Sequence, residues 1–310
     1  MQTHPPRRPS FVDEAEVMDD DHSPSTQSKI ATPVSAERES AMLTVLSGMN
    51  AGQVFALDRD ETIIGRSRAA QVRVDDGGVS RRNTRITRVG GKFFVEDIKS
   101  RNGTFKNGER VSALVELSNG DRVHVGATLA MRFSVVDETE EVLARQLYEA
   151  STRDTLTHAY NRRYFMQRLV AEVAFAQRHE TNVAVIMFDV DHFKRVNDTW
   201  GHKAGDDVLK NIAMAIQGAI RTEDVFARFG GEEFTVLVRG VDHQSATAFA
   251  ERLRQTVSRI EIPTDETSIR ITVSAGVASL GECKTSEEML LVADERLYRA
   301  KEAGRNAVCA

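Results

Sequence analysis

Cysteine is almost missing from this sequence. Cys283 and Cys309 are the only two in 310 residues, and they have no metal-ligand spacing. That excludes a disulfide framework and fits a reduced compartment. Long apolar runs are missing too: stretches such as Val183 to Phe188 are far too short to span a bilayer. The opening residues, Met1-Gln2-Thr3-His4-Pro5-Pro6-Arg7-Arg8, contain no apolar signal region. Nor is there an excess of positive charge; the net charge of −5 gives no global nucleic-acid signature. These absences describe a cytoplasmic chain that engages neither membrane nor nucleic acid. What remains, 41% hydrophobic and 28% charged residues, supplies core material for two ordinary domains.

Residues 1–39 are polar, rich in Ser, Thr and Pro, and carry an acidic run from Asp13 to Asp21. Such a segment cannot bury enough apolar surface to offset its ordering entropy, so a disordered tail is expected. It exposes hydroxyls, among them Thr3, Thr26 and Thr32, to a kinase.

Over residues 42–136 the pattern becomes short β-type runs, such as Met42 to Leu46, Glu61 to Ile64 and Phe93 to Glu96. Gly, Asn and Asp turn signals separate them, which argues for a β-sandwich. Three loops stand out: Gly65-Arg66, Ser80-Arg81-Arg82-Asn83 and Ser100-Arg101-Asn102-Gly103-Thr104. Cations with hydroxyls and an amide are the chemistry that grips a phosphate. In order and spacing the loops resemble those of a forkhead-associated (FHA) domain, a reader of phosphothreonine peptides. The resemblance implies that Arg66 and Ser80 bind the phosphate, and that Arg81, Arg101 and Asn102 contact phosphate or peptide backbone. Asn83 stands where that family usually has a histidine that serves mainly as a structural support, so the departure bears on loop rigidity.

Residues 137–153 read as a linker helix, with Val142, Leu143, Leu147 and Tyr148 near one face. Such a stripe either docks on its neighbour or pairs with another copy. Residues 154–310 then alternate helical and strand patterns. Helices are expected near 161–178, 205–220, 245–260 and 286–303, and strands over Val183 to Val190, the hairpin around Gly230-Gly231, and Ile269 to Ala278. The order βαββαβ predicts an α+β, ferredoxin-like antiparallel sheet with helices on one face.

The hairpin, Arg228-Phe229-Gly230-Gly231-Glu232-Glu233-Phe234, places two carboxylates at or beside its tip, with glycines able to supply positive φ. Taken alone it is an acidic solvated turn. In a βαββαβ unit, however, the strand ending Phe188-Asp189-Val190-Asp191 lies beside it, bringing Asp189 toward Glu232. Converging carboxylates repel unless a cation neutralises them, and oxygen-only ligands favour Mg²⁺ with phosphates completing its shell. The backbone amides after Asp191, at His192 and Phe193, together with Lys194, can cradle those phosphates. Lys301 and Arg305 lie four apart and can reach the same polyphosphate. On spacing alone they are equally well the cations that a helix C-terminus prefers.

Together these residues resemble the GGDEF family of diguanylate cyclases. The matches run from Asp154-Thr155-Leu156-Thr157 and Asn161-Arg162-Arg163 through Asn197-Asp198 and Gly201-His202-Lys203-Ala204-Gly205-Asp206. They continue through the hairpin and Ser274-Ala275-Gly276-Val277-Ala278 to Gly304-Arg305-Asn306. The resemblance implies condensation of two GTP into cyclic di-GMP with release of pyrophosphate. It implies Asp189, Glu232 and the Val190 carbonyl as ligands of Mg²⁺ (or Mn²⁺), and Glu233 as helper of the metals or the attacking 3′-hydroxyl. Asn197 and Asp206 would bind the guanine edge, and Lys194, Lys301 and Arg305 the β- and γ-phosphates. One domain presents one GTP, so catalysis implies a homodimer. Arg221-Thr222-Glu223-Asp224 matches the family's RxxD inhibitory site, which implies binding of cyclic di-GMP there. At His158-Ala159 the family more often has Gly and an apolar residue, a departure that bears on local stability. The expected control is through the FHA module, by a phosphothreonine peptide from the chain's own tail or from another protein. The alternative is a catalytically silent GGDEF domain that receives cyclic di-GMP and signals through that module.

Overall fold

The computed structural model describes residues 39–48, 50–74, 76–264 and 267–310. The expected tail, apart from its last residue, lies outside them.

The first part is all strand. In order come β1 (Glu39–Val45), β2 (Val54–Ala56), β3 (Glu61–Gly65), β4 (Val72–Arg73), β5 (Thr84–Val89) and β6 (Lys92–Asp97). Then follow β7 (Thr104–Lys106), β8 (Glu109–Arg110), β9 (Val115–Leu117), β10 (Arg122–Val125) and β11 (Leu129–Asp137). They form two sheets, ordered β2-β1-β11-β10-β7-β8 and β4-β3-β5-β6-β9. Inward residues of both, including Leu43, Ile64, Val95, Met131 and Phe133, make one core. The strands β7 to β9 are additions to the expected set. They are only two or three residues long, too short to show an alternating pattern.

Helix α1 (Glu138–Thr152) starts on Asp137, whose carboxylate accepts from Glu140 N at 2.7 Å. It packs on β1, β2 and β11. Glu141 is buried there, bonded by the Ser40 hydroxyl and Arg145. The expected apolar stripe divides: Tyr148 lies against Gly52, while Val142, Leu143 and Leu147 stay exposed.

The second part holds β12 (Tyr160–Asn161), α2 (Arg162–His179), β13 (Val183–Val190), α3 (Phe193–Ala219), β14 (Val225–Gly230) and β15 (Glu233–Arg239). It continues with α4 (His243–Ser258), β16 (Glu261–Pro263), β17 (Ser268–Arg270), β18 (Val273–Ser279), α5 (Ser286–Glu302) and β19 (Val308–Cys309). The sheet order β12-β14-β15-β13-β18-β19 contains the antiparallel βαββαβ core.

Three expectations need correction. Helices cover both faces of the sheet, not one: α3 and α4 pack on one side, α2 and α5 on the other. That is why every residue of β13 is buried and the strand reads as a continuous apolar run. The strand expected over Ile269 to Ala278 is two, because β17 pairs with β16 in a separate ribbon. Finally, α3 begins twelve residues before the expected 205. It bends at Gly201, whose backbone (φ 80°, ψ 165°) is non-helical.

Candidate active site

The central strand β13 delivers its carboxylate to the hairpin. Asp189 lies opposite Glu233 in the β13–β15 register, and Val190 N donates to Glu232 O at 3.3 Å. The turn itself is Gly231-Glu232, closed by the Gly230–Glu233 pair next to an irregularity after Arg228. Neither glycine takes a positive φ, contrary to the expected use of their freedom. A Cβ on Gly231 would meet nothing within 4 Å, so what glycine leaves there is open space.

Arg228, which the sequence reading gave no role, holds this tip. Its guanidinium donates to Gly231 O at 2.9 and 2.7 Å and to Asp154 at 3.2 and 3.3 Å. Asp154 also accepts from Thr157 N and Oγ1, so the Asp-Thr-Leu-Thr stretch is the anchor of the hairpin. Burial pushes the Asp154 carboxyl up, but the bonds from Thr157 and Arg228 outweigh it and hold the carboxyl below its usual range.

Burial raises both Asp189 and Glu232, and for Glu232 the charge of Asp189 adds to it. Lys301 opposes these effects: Nζ sits 2.8 Å from Asp189 Oδ2, and Arg305 also lowers Asp189 through its charge. Among the described residues, no three carboxylate, imidazole or thiolate side chains converge as a metal cage. A cation here would draw on two carboxylates and the main chain. The donor set is all oxygen and partly buried, which fits a hard divalent ion completed by phosphate oxygens.

Beside this pair, α3 begins without a side-chain cap. His192 takes the left-handed conformation (φ 59°), which turns the first amides of the helix outward at Phe193 and Lys194. The bend at Gly201 folds the second half of α3 back so that Gly205 touches Asn197; a Cβ on Gly205 would collide with Asn197 Oδ1. Asp206, next to Gly205, is exposed. Asp191, two residues after Asp189, is a structural hub. It accepts from Thr272 and Ser274 hydroxyls at 2.6 Å each and from Asn306 N at 3.0 Å. These bonds tie the end of β13 to the loop that carries Arg305, where Arg305 and Asn306 are both left-handed.

The Arg221-to-Asp224 turn lies apart from this centre. Asp224 is buried and accepts from Arg221 N at 3.0 Å and Arg239 N at 3.4 Å; burial raises its carboxyl. With Phe249 and Arg252 of α4, both ends of the turn line a cavity of about 270 Å³. Arg252 rests over the Phe249 ring at 4.7 Å. The sequence reading missed Arg252 because nothing in the linear pattern links α4 to this turn.

On the sandwich, the three candidate loops are bonded together. Arg66 N and Ser67 N donate to Ser80 O and Arg81 O, an approach so close that any Cβ on Gly65 would clash with Arg81 O. Ser80 Oγ accepts from Arg101 N at 2.9 Å, which leaves its own proton to donate. Arg66, Arg81 and Arg101 are exposed. Asn102 Nδ2 is committed to Gly78 O at 2.8 Å, so its amide braces a loop. Asn83 is fully buried: Oδ1 accepts from Ser80 N, and Nδ2 reaches Thr84, Gly103 O and Thr104. It supplies the rigidity that its departure from the family pattern had put in question.

A model of the family described as "Diguanylate cyclase, GGDEF domain" matches residues 151–307, and one of the FHA domain matches residues 62–126. The probable diguanylate cyclase DgcT of Escherichia coli is 44% identical over 159 residues, 50% of this chain and 35% of that protein. Diguanylate cyclase A of Treponema denticola is 38% identical over 168 residues, 53% of this chain and 45% of that protein. The chain thus spans less than half the length of these relatives. Among solved structures, the coiled coil and GGDEF domain of DgcB from Caulobacter crescentus, in complex with c-di-GMP, is 31% identical with a TM-score of 0.53. It aligns with 56% of this chain and 92% of its own. The diguanylate cyclase SiaD of Pseudomonas aeruginosa, with its activator SiaC, is 38% identical with a TM-score of 0.51, over 55% and 66% of the two chains. The match over residues 151–307 takes in just over half of the chain, which therefore belongs to the GGDEF family and carries an FHA domain ahead of its GGDEF domain.

Proposed function

We propose that the chain condenses two GTP molecules into cyclic di-GMP, releasing two pyrophosphates. The observation that carries this reading is the gathering of Asp189, Glu232 and Lys301 beside the uncapped start of α3. Asn197 and Asp206, on the two sides of the Gly201 bend, would complete the site. In each half-reaction the 3′-oxygen of one GTP attacks the α-phosphorus of the other, and the bond to the β-phosphate oxygen breaks. Glu233, half-buried at the start of β15, would take the hydroxyl proton. A divalent cation held by Asp189, Glu232 and the Val190 carbonyl would supply charge stabilisation at the α-phosphate and a lowered pKa at the 3′-hydroxyl. The Phe193 and Lys194 amides, Lys194, Lys301 and Arg305 would hold the β- and γ-phosphates as pyrophosphate leaves. Asn197 and Asp206 would select guanine, since a carboxylate accepts from N1 and the exocyclic amine, which adenine does not present.

Each domain holds one GTP, so the working form is a homodimer with two hairpins face to face. Cyclic di-GMP would inhibit by binding Arg221 and Asp224. A phosphothreonine peptide, bound at Arg66 and Ser80 with Arg81 and Arg101 flanking, would control how the cyclase domains meet. No helix among the described residues is long and apolar enough to cross a membrane. The test is turnover of nucleotide-stripped protein with GTP or ATP in the presence of Mg²⁺. Cyclic di-GMP and pyrophosphate are expected from GTP alone; equal use of ATP would remove the guanine assignment.

A further inference from the structure

One residue of the proposed phosphate site, Arg66, borders a cleft that the sandwich shares with the cyclase domain. A cleft of about 610 Å³ is lined on one side by Arg66 and the Asp76-Gly77-Gly78 loop, and on the other by α2. Residues 168, 171, 172, 175, 178 and 179 of α2, spaced three and four apart, form that wall. The opposite face of the helix, with Leu169, Val173 and Ala176, is buried against the sheet. Direct contacts fix the two walls: Tyr164 of α2 donates to Asn50 at 3.0 Å, and Arg68 and Arg73 pair with Glu223 at 3.6 and 3.9 Å.

The charges in this cleft do not cancel. Its carboxylates are engaged: Glu172 by Arg168 at 2.9 Å and Arg239 at 2.8 Å, and Asp76 by Gly78 N at 2.7 Å and the Thr128 hydroxyl. Arg66 and Arg178 are exposed, and among the described residues neither has an ion-pair partner. Two guanidiniums without ion-pair partners, from different domains, line one cleft, and the ligand they suit is a dianionic phosphate ester.

We propose that a phosphothreonine peptide is held by both domains at once, with Arg66 on the sandwich side and Arg178 of α2 on the cyclase side. The inference rests on the phosphothreonine reading above and adds a residue that no FHA module contains. It gives the ligand a direct hold on the cyclase domain, because α2 packs on β14, the strand that leads into the hairpin.

The experiment is fluorescence polarisation of the full chain against a labelled phosphothreonine peptide mixture with randomised flanks and its unphosphorylated counterpart. Arg66→Ala should abolish phosphate-dependent binding, and Arg178→Glu should weaken it about tenfold, the cost of one charge-assisted bond. Arg178→Lys should retain most of the affinity. Arg259→Glu, the same charge change at the exposed end of α4, should leave affinity unchanged. If Arg178→Glu binds as tightly as wild type while Arg66→Ala does not bind, the composite site is wrong and the phosphothreonine reading stands. If wild type shows no preference for the phosphorylated mixture, or Arg66→Ala binds normally, both fall.

Discussion

Lys301 Nζ lies 2.8 Å from Asp189 Oδ2, joining the last turn of α5 to the end of the central strand. A lysine that the family resemblance assigns to phosphates thus touches a carboxylate it assigns to metal. The ammonium offsets part of the energetic cost of a buried carboxylate and stands where triphosphate oxygens would arrive. Lys301→Ala should therefore lower kcat/KM for GTP by about 100- to 1,000-fold, the range for loss of a charge-stabilising donor. Steady-state kinetics check this, and an unchanged kcat/KM would separate Lys301 from the site.

Asp189 and Glu232 are both raised, first by burial and, for Glu232, also by the neighbouring charge. Each must be ionised to ligate a cation, so activity should fall on acidification from a pH above about 4, the ordinary carboxylate value. The stability effect has the opposite sign. A carboxyl whose folded pKa is raised stabilises the fold below its unfolded pKa and loses that contribution as pH rises through the folded value. Asp189→Asn should therefore abolish turnover yet raise Tm at pH 7; a lower Tm would contradict the burial argument.

At Gly205 a methyl group would reach only side chains, chief among them Asn197, the residue proposed to bind guanine. Gly205→Ala should push Asn197 off its place, which is cheap because the side chain is flexible. Loss of one guanine hydrogen bond predicts KM for GTP about tenfold higher with the fold intact. Kinetics alongside circular dichroism test it.

His158 takes φ 56°, a left-handed backbone that disfavours any residue with a Cβ, and its side chain is exposed. His158→Gly should stabilise the fold by about 0.5–1 kcal/mol without altering kcat, as chemical denaturation would show. Arg228→Ala should do the reverse. Releasing Gly231 O and Asp154 together should cost about 1–3 kcal/mol and loosen the hairpin tip, lowering kcat as well.

Much of this was legible in the sequence because it is local. The apolar run from Val183 to Val190 and the turn residues of the sandwich each carry their own signal. What was hidden depends on tertiary partners. Asp191 is indistinguishable from Asp189 in sequence, yet the hydroxyls of Thr272 and Ser274 make it structural. Arg228 reads as part of a polar turn until Asp154, 74 residues earlier, is placed beside it. Helices on both faces were missed because the βαββαβ order specifies only two, and the flanking α2 and α5 have to pack somewhere.

The most direct measurement is product analysis of nucleotide-stripped protein incubated with GTP and Mg²⁺, wild type beside Glu233→Gln. Cyclic di-GMP with one pyrophosphate released per GTP should appear in the wild type, and none in a Glu233→Gln protein of unchanged Tm. A stripped wild type that binds GTP but forms no cyclic di-GMP would contradict the assignment.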